Sequence, residues 1–447
     1  MTKDLTRGTP WKLIVQFALP IMAGNLLQQL YNTADTIIVG NFNGQQALSA
    51  VGACASLTVL FTALAIGFSI GAGVLISQYF GASREQELRQ YAATAIVLML
   101  AMGLLMSLIG VCSARFLLAR ALGTPEALLP LTLLYFRIYA AGLVFQFGYN
   151  IAAALLRALG DSKATLYFLL VSSVLNVVLD LAFVAGLGMG VAGAAIATVL
   201  SQIASCVIGF AYMHRRYALL RFSLRELRMD LKTAGRILQV GAPMAIQQSI
   251  VSCGFLFLQR LVNYYGESMI ASYTVASRME NILMIPIIGI QNTMATFAGQ
   301  NMGARQPERI RKIIRTGLGM HLGFSALFSL TLFLTRYLTV RCFTDDPAVI
   351  AEGVTIICML AFFYPVFCCV EVFSSAMRGC GNSVMPTVLT LFGTCLLRLA
   401  LLYTVTFPHL SNWTIAICYP ATWGTTSLLF LIYYRFFRWM PGQKSHT

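Results

Sequence analysis

An apolar segment of membrane-spanning length, Leu13–Asn41, is the feature that most constrains how this chain can fold. About 20 apolar residues are enough to cross the hydrocarbon core of a bilayer as a helix. The segment also carries four polar side chains whose spacing places them on one face of that helix: Asn25, Gln28, Asn32 and Asp35. Because a carboxylate in hydrocarbon costs about 3 kcal/mol, we expect this face to line a cavity or a neighbouring helix. Pro20 predicts a point where the same helix can bend.

Composition indicates that the whole chain lies in a membrane. Of its 447 residues, 58% are hydrophobic and 11% are charged, whereas soluble domains have about 25% charged residues. The mean hydropathy is +0.76. These values predict a polytopic all-α membrane protein. The net charge of +15 is typical of basic residues collected in cytoplasmic loops, so nucleic-acid binding is not predicted.

Cysteine and histidine usage gives no sign of an enzyme or a metalloprotein. The eleven cysteines include no CxxC pair, and the four histidines are isolated from one another. No nucleophile–base pair and no cofactor motif in a suitable context appears. We therefore expect neither catalysis nor a bound cofactor.

Hydropathy predicts twelve transmembrane helices. They cover residues 11–40, 45–79, 90–112, 128–156, 163–185, 191–213, 235–263, 269–300, 312–335, 348–377, 384–407 and 412–437. Of the 31 Lys and Arg residues, 23 lie in the termini and in loops on the same side, and four lie in loops on the opposite side. Basic residues favour the cytoplasmic side, so both termini are predicted to be cytoplasmic.

The two halves of the chain repeat. Three pairs of matching residues recur at offsets of 221 to 223: Pro20 and Pro243, Gly81 and Gly303, Arg157 and Arg378. Since each half contains an even number of spans, the two six-helix lobes are predicted to be parallel, with a pseudo-twofold along the membrane normal. The predicted domains are an N-terminal lobe at 1–213, a basic cytoplasmic linker at 214–236 and a C-terminal lobe at 237–447.

Polar side chains in the N-terminal lobe predict a cation site. Asp35 and Asp180 fall at similar depth in the outer half of that lobe, Asn176 lies one turn before Asp180 in the fifth predicted span, and Thr198 lies in the sixth. Two carboxylates, an amide oxygen and a hydroxyl are the hard ligands that a small cation such as Na+ prefers. The same carboxylates could hold a proton, because burial and a like charge nearby favour the protonated form. The alternative is a structural hydrogen-bond network between helices.

Charged residues within the C-terminal lobe leave two interpretations open. Arg278, Glu280, Glu371 and Arg398 all lie within predicted spans. They could form a second coupling site, because intramembrane acids are usually functional. They could equally neutralise one another as structural pairs.

These motifs together resemble the MATE (multidrug and toxic compound extrusion) family over essentially the whole chain. The resemblance rests on the two-lobed plan, the Pro20 to Asp35 first span, the turns at 78–82 and 157–162, and the sequence at 188–198. It is nearest to the bacterial branch with DinF-like and MepA-like members. In that branch the residues of the N-lobe network match Pro20, Gln28, Asp35, Tyr135, Asn150, Asn176, Asp180 and Thr198. A second fourth-span Asn of some relatives falls at Ala153 here.

The resemblance implies a multidrug efflux antiporter in the bacterial inner membrane, working as a monomer by alternating access. It would export cationic or amphipathic small molecules in exchange for Na+ or H+, and the sequence does not choose between the two ions. Membrane lipids would be its other contacts. A lipid-linked glycan flippase shares the two-lobed plan, although it would use several basic residues in the cleft. An ion channel is the third interpretation, and the internal duplication argues against it.

Overall fold

The computed structural model describes residues 4–223, 225–264, 267–406 and 412–440, and within these ranges every regular element is helical. The helices are α1 (Pro10–Gly81), α2 (Glu85–Arg115), α3 (Leu129–Ala141), α4 (Leu143–Ala158), α5 (Ser162–Asp180), α6 (Gly190–Arg216), α7 (Leu231–Tyr264), α8 (Glu267–Gly303), α9 (Pro307–Leu334), α10 (Arg336–Arg341), α11 (Pro347–Gly379), α12 (Val384–Thr390), α13 (Leu397–Leu401) and α14 (Asn412–Phe436). Turns of π-helix cover Phe116–Ala121, Leu181–Gly186, Leu391–Leu396 and Leu402–Thr406.

The all-α membrane architecture is confirmed. Eight helices in the described part of the chain are long and apolar enough to cross a membrane, and the pair α3 and α4, bent by 43°, makes a ninth if counted as one span. The helix α1 is interrupted at Gly44, whose φ of 78° suits only glycine. That interruption falls in the loop predicted between the first two spans. The count of twelve spans stays a prediction.

Two compact units make up the chain. The first contains Asp4 and Leu19–Ile246, and the second contains Leu5–Ala18 and the residues from Gln247 onward. The helices α1 and α7 therefore each pass from one unit to the other. Each of these two boundaries lies close to a proline inside the helix. In α1 the boundary falls between Ala18 and Leu19, just before Pro20, and in α7 it falls between Ile246 and Gln247, shortly after Pro243.

The first unit is built on close helix packing. Its apolar core surrounds α4, where Phe147 and Leu155 are fully buried. The start of α7 lies so close to α1 that a Cβ added to Gly71 would meet the Gly241 Cα at 2.3 Å. Small residues at such contacts let helix backbones approach, which is how helices associate where lipid offers no hydrophobic driving force.

A segment that we call the strap, residues 217–230, joins α6 to α7 within the first unit. Its described residues form a short 3-10 helix, Ala218–Leu220, followed by turns, and Leu224 lies outside the described residues. Tyr217 and Leu220 are buried, and Arg89 of α2 donates hydrogen bonds to the strap. The strap is therefore held on the first unit by specific contacts.

In the second unit, aromatic residues supply much of the interior. Trp423 lies with its ring centroid 5.3 to 5.5 Å from those of Tyr364, Phe367 and Tyr419.

The N-terminal segment also belongs to the second unit. The backbone amide of Leu5 donates to Gln300 Oε1 at 3.0 Å, and Arg309 donates to the Gly8 carbonyl at 2.9 Å. These bonds attach the start of α1 to α8 and α9 within the second unit.

Candidate cation site

The centre of the candidate site is a pair of carboxyl groups from distant parts of the first unit. Asp35 comes from α1, and Asp180 is the last residue of α5, where the regular helix gives way to the π turn Leu181–Gly186. Their side chains lie within direct interaction distance of each other. Asp180 is fully buried and Asp35 is half-buried. Helix packing thus brings together two like charges that are 145 positions apart.

The oxygens of this pair lack donors. Asp35 Oδ1, both carboxylate oxygens of Asp180, and both polar atoms of the Asn176 amide are buried without a hydrogen-bond partner. Buried polar atoms are almost always paired, because leaving one unpaired costs about 1–3 kcal/mol. An unpaired set of hard oxygen acceptors fits a small cation or a proton, either of which would also relieve the repulsion between the carboxylates. These oxygen ligands therefore suit a monovalent ion.

Two tyrosines extend the site. Tyr135 of α3 is buried and lies close enough to Asp35 for electrostatic interaction. Tyr31 of α1 lies equally within range of electrostatic interaction with Asp35. The Gln28 side chain, which was predicted to belong to the network, hydrogen-bonds Tyr31. Sequence reasoning missed Tyr31, because an aromatic residue within an apolar run looks the same as a packing residue.

Three polar side chains, those of Tyr139, Gln146 and Thr62, form a triangle of close contacts in the first unit. Tyr139 donates to Gln146 Oε1 at 3.1 Å, Gln146 Nε2 donates to Thr62 Oγ1 at 2.8 Å, and the Thr62 and Tyr139 hydroxyls are 3.3 Å apart. The triangle joins α1, α3 and α4. Thr62 was also missed from the sequence, since a lone threonine in an apolar helix carries no signal.

Three further predicted residues have other described contacts. Asn150 donates to the Gln146 carbonyl one turn earlier at 2.9 Å, and Thr198 donates to the Ala194 carbonyl at 3.0 Å. These bonds lie within α4 and α6 and leave the predicted network roles of both side chains as predictions. Pro20 is buried within α1, which continues as a helix through it, and the bend predicted there stays a prediction.

The second unit arranges its charges differently. Glu280 of α8 is buried, and the charge that acts on it is that of Arg398, whereas Arg278 is exposed. Glu371 of α11 interacts with the Gln291 side chain and the Arg378 charge. Glu280 and Glu371 thus each have an arginine counter-charge.

Comparison with known proteins identifies the family. The MatE family model matches the chain twice, over residues 20–182 and 243–404, which confirms the internal repeat. The probable multidrug resistance protein YpnP of Bacillus subtilis is 29% identical over 98% of this chain and 97% of its own length. The multidrug export protein MepA of Staphylococcus saprophyticus is 23% identical over 77% of this chain and 76% of its own.

Solved structures agree. A multidrug resistance MATE family transporter of the MOP superfamily, in an outward-facing conformation, superposes with a TM-score of 0.90 at 25% identity, covering 97% of both chains. Members of this family are transporters that need no cofactor. The chain therefore belongs to the MatE family and is a multi-pass bacterial membrane transporter, not an enzyme.

Proposed function

We propose that this protein exports cationic or amphipathic small molecules in exchange for Na+ or H+ by alternating access. The observation that carries the proposal is the Asp35–Asp180 pair, with its unpartnered buried oxygens beside Asn176. Such a pair has a reason to take up a cation or proton and to release it when its surroundings change. The relatives described as multidrug resistance and export proteins support the substrate class.

The proposed cycle links ion binding to the shape of α1. An ion or proton at Asp35 and Asp180 removes their mutual repulsion, and Asn176 and Thr198 supply further oxygens. Closer approach of the two carboxylates then favours bending of α1 at Pro20, where the proline removes a backbone hydrogen bond. A ligand shifts an equilibrium only through its different affinities for the two states. The ion must therefore bind more tightly to the substrate-releasing state.

The remaining features of the proposal come from the sequence. The surplus of Lys and Arg on one side of the spans supports cytoplasmic termini in the bacterial inner membrane, and a monomer suffices because both lobes are in one chain.

The test is substrate uptake into everted vesicles by Asp35→Asn and Asp180→Asn variants. An ethidium-type dye is the substrate, and an imposed Na+ gradient and an imposed pH gradient are applied in separate runs. Glu126→Gln is the control, because Glu126 is an exposed acid of the same unit outside the site. We expect both Asp variants to lose gradient-driven uptake and the control to keep it. Near-normal coupled uptake in both Asp variants would contradict the proposed site.

The same vesicles test the glycan-flippase alternative. That function calls for several free basic groups to hold a pyrophosphate, whereas Arg378 donates to Gln247 Oε1 at 2.9 Å and Arg398 donates to Thr422 Oγ1 at 3.3 Å. Competition of dye uptake by a lipid pyrophosphate at low concentration would favour the flippase.

A further inference from the structure

The second unit carries a fixed cation at the position equivalent to a ligand of the candidate site. The repeat-related residues Arg157, at the end of α4, and Arg378, at the end of α11, precede α5 and α12 and are 221 positions apart. In the second unit, the π turn Leu391–Leu396 follows α12. In the first unit, the corresponding stretch, which precedes Asn176, is regular α-helix within α5. A π turn holds one extra residue, so the offset between corresponding residues becomes 222 after it. The last residues of the two family matches, 182 and 404, differ by the same 222 positions. Asn176 therefore corresponds to Arg398.

Another pair of helices gives the second correspondence. Tyr212 of α6 donates to Asp161, and Asn382 donates to the Tyr433 hydroxyl of α14, so these two contacts are related by an offset of 221. On the same continuous helices, Thr198 corresponds to Tyr419 and Ser201 to Thr422. The cation-ligand positions Asn176 and Thr198 have thus become an arginine and a tyrosine in the second unit.

These two replacements contact each other. The Arg398 guanidinium carbon lies 4.3 Å from the centroid of the Tyr419 ring, and Arg398 Nη2 donates to Thr422 Oγ1 at 3.3 Å. A guanidinium over a buried aromatic face is attracted by the negative face of the ring. The Tyr419 hydroxyl is fixed in turn by the Tyr273 hydroxyl at 2.7 Å. The guanidinium is therefore held by the very residues that correspond to Thr198 and Ser201.

The charge opposite Arg398 completes the arrangement. Glu280 is 8% exposed, and its electrostatic surroundings contain the Arg398 charge together with the phenols of Tyr273, Tyr364 and Tyr419. Burying a carboxylate requires a compensating charge or hydrogen bonds. Among the described residues no cation acts on Asp35 or Asp180 in this way, whereas in the second unit the positive charge of Arg398 acts on Glu280.

We propose that Arg398 is a tethered substitute for the exchangeable cation, so that the second unit is permanently in an ion-occupied state and only the first unit binds coupling ions. This inference rests on the proposed function only for the statement that the first-unit site binds an ion. It makes Arg398 a positioning residue and Glu280 its counter-ion. It also predicts that removing the tether converts the second unit into a site for a free cation.

The test is chemical rescue of the full-length Arg398→Ala variant with guanidinium chloride at low millimolar concentration. Asp35→Asn is present in every protein, so the result does not depend on the first-unit site. We expect guanidinium to raise the melting temperature of Arg398→Ala by about 2 °C or more, and the neutral isostere urea to leave it unchanged. Adding Glu280→Gln should abolish the shift.

Three further variants, Arg336→Ala, Arg398→Gln and Arg398→Lys, keep the outcome interpretable. Arg336→Ala is the matched control, because Arg336 also covers an aromatic ring, at 4.5 Å from Phe333, but has no buried carboxylate in its described contacts. It should show no guanidinium shift. Arg398→Gln should bind radiolabelled Na+ or a proton in the Asp35→Asn background, and Arg398→Lys should not. Equal responses of Arg398→Ala to guanidinium and urea, or a shift that survives Glu280→Gln, would overturn the inference.

Discussion

The two units use related helices to hold opposite charge balances. In the first unit, Asp35 and Asp180 face each other with acceptor oxygens that no described group satisfies. In the second, the positive charge of Arg398, which lies over Tyr419, acts on buried Glu280. A buried charge without a partner destabilises the protein, so binding of an ion or proton beside it is favourable. A buried charge with a partner gains little from such binding. A duplicated scaffold can therefore hold a pair of acids without a cationic partner in one copy and an acid beside an arginine in the other.

The largest expected effect is on coupling, and it separates the two units. Asp180→Asn should abolish gradient-driven dye uptake while leaving the melting temperature unchanged or higher, because it removes repulsion with Asp35. Glu280→Gln should do the reverse, with a loss of about 2 kcal/mol of stability because it leaves the Arg398 charge uncompensated. Dye uptake by vesicles and thermal unfolding in detergent measure the two effects. Equal loss of coupling in both variants would break the comparison.

A second prediction concerns close packing in the first unit. Gly71→Ala places a methyl group at 2.3 Å from the Gly241 Cα, so backbone must move. We expect a loss of about 3 kcal/mol in the free energy of unfolding, at the upper end for overpacking. Gly235→Ala is the control, since Gly235 lies in α7 with open space around it. There the change should be neutral or stabilising by up to about 1 kcal/mol. Similar melting temperatures for the two variants would contradict the packing argument.

A third prediction compares repeat-related arginines near the starts of α2 and α9. Arg89 donates to the carbonyls of Ala218 and Arg221 and to Glu226, whereas Arg311, 222 positions later, pairs with exposed Glu308. Arg89→Ala should cost about 2 kcal/mol and increase trypsin cleavage of the strap. Arg311→Ala should cost no more than about 0.5 kcal/mol. An equally stable strap in the Arg89 variant would show that Tyr217 and Leu220 hold it alone.

The smallest expected effect is a pH dependence of the strap. The Ser223 amide donates to Glu226 Oε2 at 2.7 Å, and this bond and the Arg89 contact lower the pKa of Glu226 below its ordinary value. A lowered pKa contributes stability that is present above the unfolded-state pKa of about 4.3 and is lost as the pH falls through the folded-state value. Hydrogen exchange of the strap amides should therefore increase, after correction for intrinsic rates, between about pH 5 and 3. Glu226→Gln should flatten that dependence.

Much of this architecture could be predicted from the sequence because the relevant signals are local or periodic. Long apolar runs require helices in a membrane, and matching residues at nearly constant offset reveal the duplication. The nearness of Asp35 and Asp180 could be anticipated from their similar depth in the outer half of the same predicted lobe. Their role in ion binding stays a prediction that the variants above address.

Other features could not be predicted from spacing alone. Arg278 is only two positions from Glu280, yet it is exposed, and Arg398, 118 positions away, supplies the neighbouring charge. Residues two apart on a helix point in different directions, so proximity in the chain misleads. Tyr31 and Thr62 joined the polar face only because of how α1 is rotated against α3 and α4. In its described residues the strap is a short 3-10 helix followed by turns and is anchored by Arg89, a path that spacing in the sequence does not indicate.

By itself the sequence determined that the chain is helical, spans a membrane, is duplicated and carries acids that hydrocarbon does not accept, because hydropathy and spacing follow from residue types alone. Only the tertiary structure decided which charges are balanced. That outcome depends on the rotation and packing of helices far apart in the chain, and on π turns that shift their register by one residue. For this protein, those shifts placed Arg398 where the other unit has Asn176.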